Sequence, residues 1–277
     1  MNKAKIIQLS VLAASLAVLV IVFAAPKNYS EKKLAERARI EVKKDADQQL
    51  VEIKKELKPE AGARVAELEK QLGEAKTDAE KVILLDSLAA FWDVQMYPGA
   101  SVLYVEEKAV ILNTAQQWII TGDRYLSMAD FGDDENRPYR LDKAEEAYQN
   151  ALDADAKNLN AKTGLGTVLV RKQQNPMQGI ALLREVVDED PKNIRALLQL
   201  ADFSIMSNQP DKALARFDQV LEADTNYVDV YFFKAETYAK MGNKPEAQKF
   251  LEEYKKRAPS PEAGEEAANY LKINYGL

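Results

Sequence analysis

The side chains in this chain that could do chemistry are almost all carboxylates. None of the 277 residues is cysteine and none is histidine. That removes thiol nucleophiles, disulfides, zinc–thiolate sites, the commonest general base and the commonest metal ligand. Forty-four Asp and Glu face 38 Lys and Arg, a net charge of -6. Asp130, Asp133, Asp134 and Glu135 crowd the segment ADFGDDENRPY. A calcium loop needs oxygen ligands at ordered spacings around a glycine turn, and this segment does not match one. It reads as a solvated acidic loop. Glu252 and Glu253 adjoin, but glycosidase-type chemistry needs one acid in an apolar pocket and a second at a defined separation; these two read as helix-surface residues. Gly164-Leu165-Gly166 has the glycines of a phosphate loop, yet it follows no strand and the chain has no GxxxxGK pattern. Close helix packing accounts for these glycines. No catalytic, cofactor-binding or metal-binding residue is expected. The acidic balance argues against nucleic acid as a partner, because phosphate binding needs a concentrated basic surface.

The elements behind these residues show themselves through a period. Ala213 and Ala247 lie 34 apart, as do Phe217 and Leu251, Pro191 and Thr225, and Thr225 and Pro259. A fixed interval of this size marks a solenoid of stacked helical pairs. Small residues at 179, 213 and 247 let two helices approach, and Phe217 or Leu251 one turn later fills the adjoining gap. One pair cannot bury its apolar face alone, so neighbours share a core.

The units that carry this pattern are residues 194–227, with Leu197, Leu200, Ala201, Ala213, Phe217 and Val220, and 228–261, with Tyr231, Ala235, Tyr238, Ala247, Leu251, Tyr254 and Pro259. An earlier unit ends with Gly179, Leu183, Val186 and Pro191. Before it, Trp118, Gly122, Tyr125, Ala144, Tyr148 and Ala151 mark a unit with an insertion, FGDDENRPYR, at 131–140. A weak first unit covers about 81–114, with Leu84, Leu88, Phe91, Ala100 and Tyr104. The pattern resembles the tetratricopeptide repeat (TPR), and its arrangement resembles that of membrane-anchored bacterial TPR proteins. The resemblance implies an all-α, right-handed TPR-type solenoid of about five repeats over 81–261. A capping helix follows at 262–277.

Ahead of the repeats, Ile6 to Ala25 form an uncharged run of twenty residues, twelve of them Ile, Leu, Val or Phe. At about 1.5 Å per residue the run spans roughly 30 Å, a bilayer core. Residues 1–27 are therefore read as a transmembrane anchor. A cleaved signal peptide is the competing reading, with its basic start and a Val22-Phe23-Ala24 site. The body is expected outside the cytoplasm, tethered to a bacterial inner membrane with its repeats in the periplasm. Residues 28–80 read as a helical hairpin or stalk, with a turn at Pro59 and Gly62. The stretch Val65, Leu68, Leu72, Ala75, Ala79 and Val82 has heptad-type spacing. It either packs on the repeats or pairs two chains. Thr77 and Glu80 form a capping box that starts a fresh helix.

The resemblance implies a concave groove lined by the first helix of each repeat. Carried onto this chain, the groove positions are Ile119, Asp123, Arg171, Arg195, Leu198, Asp202, Asp229, Phe232 and Glu236. Asp123, Asp202 and Glu236 would form an acidic line, and Ile119, Leu198 and Phe232 an apolar strip one turn earlier. A protein or peptide partner with basic and apolar side chains would suit it. The expected function is a non-catalytic, membrane-tethered scaffold that helps assemble an envelope complex. The alternatives are a structural homo-oligomer using the 65–82 seam and a soluble exported adaptor.

Overall fold

The computed structural model describes residues 46–131 and 136–277. Among them are thirteen α-helices and no strand. They are α1 (Ala46–Lys55), α2 (Pro59–Glu74), α3 (Asp78–Val94), α4 (Pro98–Leu112), α5 (Ala115–Phe131), α6 (Arg137–Ala154), α7 (Leu159–Arg171), α8 (Pro176–Glu189), α9 (Ile194–Met206), α10 (Pro210–Ala223), α11 (Asp229–Lys240), α12 (Lys244–Arg257) and α13 (Pro261–Tyr275). Each helix from α3 to α12 packs on the next, in five antiparallel pairs, and α13 closes the row. This is the solenoid that the 34-residue period requires.

Local chemistry explains where the helices begin. Thr77 accepts the Glu80 amide at 3.2 Å while the Glu80 carboxylate accepts the Thr77 amide at 3.1 Å, completing the expected capping box. Asn158 and Asn193 cap α7 and α9 by accepting the amides of Ala161 and Ala196, each at 3.1 Å. Proline opens α2, α4, α8, α10 and α13, where its missing N–H costs nothing. The last three turns between repeats share one form. Asp155, Asp190 and Asp224 accept the amides of Lys157, Lys192 and Asn226 at 3.3, 3.1 and 2.8 Å. A short carboxylate that bonds the backbone two residues on stabilises such a turn. Within repeats, the turn needs a residue at positive φ. Gln173, Asn208 and Gly242 supply it at +58°, +56° and +76°.

Small residues sit where the period placed them. Ala144, Ala213 and Ala247 are fully buried, as are Val220 and Tyr148. Gly166 and Gly179 bring the backbones of α7 and α8 together: a Cβ added at Gly179 would lie 2.3 Å from the Gly166 carbonyl oxygen. That contact is the close packing expected of the Gly164–Gly166 segment.

Three details differ from expectation. Gly62 lies inside α2, not in a turn, because Pro59 opens the helix three residues earlier. The 131–140 insertion is partly helical, since α6 starts at Arg137. Arg140 is fully buried and donates from Nη1 to the Met128 carbonyl at 2.9 Å, tying α6 to the end of α5. The 65–82 seam is divided between α2 and α3, and Val65 and Leu68 are 1% and 3% exposed. They pack with Ile53, Leu85, Leu88 and Trp92, so the hairpin joins the core of the first repeat. Among the described residues no helix is long and apolar enough to cross a membrane. The run at 6–25 and Asp133, Asp134 and Glu135 lie outside the described residues.

Candidate functional site

The groove positions lie on α5, α7, α9 and α11, the first helices of four successive repeats. Tyr148, on α6, reaches them through a slot made of glycine. An added Cβ at Gly122 or Gly164 would fall 2.8 or 2.1 Å from the Tyr148 ring. Through this slot the Tyr148 hydroxyl donates to Asp123 Oδ1 at 2.6 Å. Arg195, from α9, donates to the same carboxylate, at 3.4 Å from Nη1 to Oδ2 and in a shorter Nη2 contact to Oδ1. Its Nη2 also reaches the Tyr148 oxygen at 3.3 Å. Burial, then the charge on Asp123, pushes the Tyr148 phenol well above its ordinary value and keeps it a donor. Burial alone would lower the Arg195 pKa, but Asp123 and Tyr148 raise it.

A second rung runs alongside. Arg171 on α7 pairs with Asp130 on α5 and lies 3.9 Å from Asp202 on α9. Burial raises the pKa of Asp130 and of Asp202, outweighing the pull of Arg171 on each. Three carboxylates thus share two guanidinium groups across three consecutive repeats. The acidic line expected of Asp123 and Asp202 is a mixed-charge lattice.

The last expected carboxylate has a different environment. Glu236 Oε1 accepts the hydroxyls of Tyr270 and Tyr275 from α13, at 2.7 and 3.1 Å. Phe232 packs with Tyr254 and Tyr270 at centroid distances of 5.6 and 5.8 Å. Glu236 and Phe232 therefore sit in an aromatic corner closed by the capping helix. Asp229 is exposed, and Leu198 is half-buried against the core that contains Leu197, Ala201, Ala213 and Phe217. Ile119 is 4% exposed and belongs to the core, while its neighbour Ile120 is 37% exposed. The solvent-facing apolar residue of that turn is Ile120. Sequence reasoning missed the Tyr148 hydroxyl and Asp130. Tyr148 was legible as a packing residue, but its polar end takes part through glycines on two other helices.

Family models of the tetratricopeptide repeat match residues 171–226 and 205–268, and a second such model matches 140–194. Solved structures resemble the chain at low identity. PilW, described as a widely conserved type IV pilus biogenesis factor, superposes with a TM-score of 0.52 at 16% identity, covering 71% of this chain and 94% of that one. YrrB, described as a TPR protein with an unusual peptide-binding site, gives 0.43 at 20%, covering 73% and 97%. MamA from Desulfovibrio magneticus RS-1 gives 0.47 at 15%, covering 65% and 97%. A search of curated protein sequences found no match.

Proposed function

From a chain that belongs to the tetratricopeptide repeat family, and so is a scaffold for protein–protein interaction, we propose a narrower role. It binds a peptide segment of a partner along the concave face of α5, α7, α9 and α11, tethered by residues 6–25 to a bacterial inner membrane, with its repeats in the periplasm. There it helps assemble an envelope complex. The observation that carries the groove is the lattice of Asp123, Arg195, Asp130, Arg171 and Asp202. It joins helices from three repeats on one face and arranges their side chains before any partner arrives. A preformed surface of this kind lowers the ordering cost of binding. The lattice sets three carboxylates against two guanidinium groups, while Asp229 and Glu236 leave the far end of the groove acidic. The groove suits a segment with apolar anchors near Ile120, Leu198 and Phe232 and a basic residue toward Glu236. Tethering confines scaffold and partner to one membrane and raises their effective concentration.

A photoreactive residue at Leu198, with a second at Asp153 on the outer surface as control, tests the groove in the native membrane. A partner captured from Leu198 and not from Asp153 supports it; equal capture from both removes it. Deleting residues 6–25 tests the tether separately, since the shortened chain should leave the membrane pellet. A homo-oligomer built on the 65–82 seam is less favoured, because Val65 and Leu68 are already covered by their own chain.

A further inference from the structure

A cavity of about 300 Å³ opens between α8 and α10 over the second half of α9. Leu200 and Phe203, both buried, form its floor, with Ile180 and Ala215 beside them. Leu200, Phe203, Ser204 and Ser207 lie on the side of α9 opposite Leu198 and Asp202 at 100° per residue, so the cavity faces away from the concave groove. Arg184 from α8 and Lys212 and Arg216 from α10 surround it.

These three cations differ from others in the array. At four other helix junctions a cation meets a carboxylate of the adjacent helix: Lys108 with Asp86, Lys162 with Glu185, Lys172 with Asp142, Lys234 with Asp218. Around this cavity no ion pair to Arg184, Lys212 or Arg216 occurs among the described residues. Lys212 donates only to the Gln209 side-chain oxygen, at 2.5 Å, and Arg216 to that of Gln219, at 2.8 Å. Lys212 and Arg216 also stand four residues apart on one helix face, a like-charge spacing that weakens a helix. In a chain of net charge -6, three such cations around an apolar floor mark a place complementary to an anion that carries an apolar group.

We propose that this cavity is a second docking site, for an acidic segment of a partner protein that inserts one bulky apolar side chain between α8 and α10. The floor desolvates the side chain, and Arg184, Lys212 and Arg216 meet carboxylates on either side of it. The volume is at the lower end of the roughly 300–1,000 Å³ found for ligand sites, which suits a single anchor side chain better than an acyl chain.

The test uses the full chain and labelled octapeptides of glutamate with Leu, Phe or Trp at the centre. Fluorescence anisotropy should show saturable binding that weakens with salt and falls at least tenfold when the central residue is Ala or the glutamates are Lys. Arg184→Gln/Lys212→Gln/Arg216→Gln should lower affinity at least tenfold with unchanged circular dichroism. Ala215→Trp, which fills the cavity from an exposed position, should do the same without removing a charge. Binding that is absent for every acidic peptide overturns the proposal, as does binding left intact in both variants. Equal binding of the central-Ala peptide would overturn the apolar anchor. Tighter binding to vesicles of anionic phospholipid than to any peptide would reassign the surface to lipid. Asp202→Lys in the concave groove should leave octapeptide affinity unchanged, so failure here and failure of the groove can be told apart.

Discussion

Arg195 on α9 bonds the carboxylate of Asp123 on α5, 72 residues earlier, across the whole of the intervening repeat. The contact is possible because α7 presents Gly164 at the crossing, where the Tyr148 ring fills the space a side chain would need. Two glycines, one tyrosine and one ion pair therefore form a single unit that sets how three repeats sit against one another.

The first prediction concerns this pair. The Arg195 and Asp123 side chains are 34% and 41% exposed, so solvent screening limits their coupling. A double-mutant cycle of Arg195→Ala and Asp123→Ala, followed by urea unfolding, should give an interaction of about 0.5–1 kcal/mol. Additive single effects would show that the bond contributes nothing to the array.

The second concerns the slot. Gly164→Ala would place a methyl group 2.1 Å from Tyr148 Cε1, against a ring that is fully buried. Overpacking of this kind costs about 1–3 kcal/mol. The thermal midpoint should fall by several degrees, and in a Tyr148→Ala background the same change should cost less than it does in the parent chain, because the ring it clashes with is gone. An unchanged midpoint for Gly164→Ala alone would contradict the crossing described for α6 and α7.

Much of the fold could be read from spacing because the repeat is a packing rule written in residue size. Ala213 and Ala247 are small for the same reason at the same place in successive hairpins, and a linear period exposes that. The Asp155, Asp190 and Asp224 turns obey nearly the same period, but an Asp is as common on a solvated helix end as in a turn, so the spacing alone does not single them out. The groove was less legible. Its helices could be assigned, but Ile119 and Ile120 differ only by 100° of helix rotation, and register errors of one residue exchange core for surface. Of the charge lattice, Asp123, Arg171, Arg195 and Asp202 could be placed on the groove helices, but their pairing with one another, with Asp130 and with Tyr148 left no local trace. Asp123, Tyr148 and Arg195 have no common spacing, and their meeting depends on how tightly the repeats curve.

A third prediction follows from the hairpin. Leu68 is 3% exposed within the core of the first repeat, so Leu68→Ala should cost about 2–5 kcal/mol. Light scattering on the same variant should give the same mass as the parent chain, because the side chain is spent on its own fold. A dimeric parent that becomes monomeric in Leu68→Ala, with an unchanged melt, would reverse this assignment in favour of a seam between chains.

The turn of the α7–α8 hairpin yields a fourth. Gln173 holds φ at +58°, where the equivalent residue of the α11–α12 hairpin is Gly242. A residue with a Cβ is disfavoured in this left-handed region by about 1–2 kcal/mol, whereas glycine is not. Gln173→Gly also frees the unfolded chain, which offsets part of the gain. The net expectation is a stabilisation of up to about 1 kcal/mol, read as a higher urea midpoint with an unchanged slope. A lower midpoint would mean that the Gln173 side chain contributes more than its backbone costs.

The fifth uses pH to ask whether Asp202 is held in the groove at a cost. Burial raises its pKa above the ordinary value of 3.8, against the attraction of Arg171 and Lys240. A carboxyl whose folded pKa lies above its unfolded one binds more protons when folded, so its contribution to stability falls as pH rises from the unfolded value through the folded one. Asp202→Asn removes that titration. The difference in thermal midpoint, variant minus parent, should therefore grow as pH is raised from below 3.8 to neutrality. If the difference shrinks instead, Arg171 stabilises the ionised form more than burial opposes it. Asp202 would then be a firmly paired strut between repeats, with little reason to exchange Arg171 for a ligand.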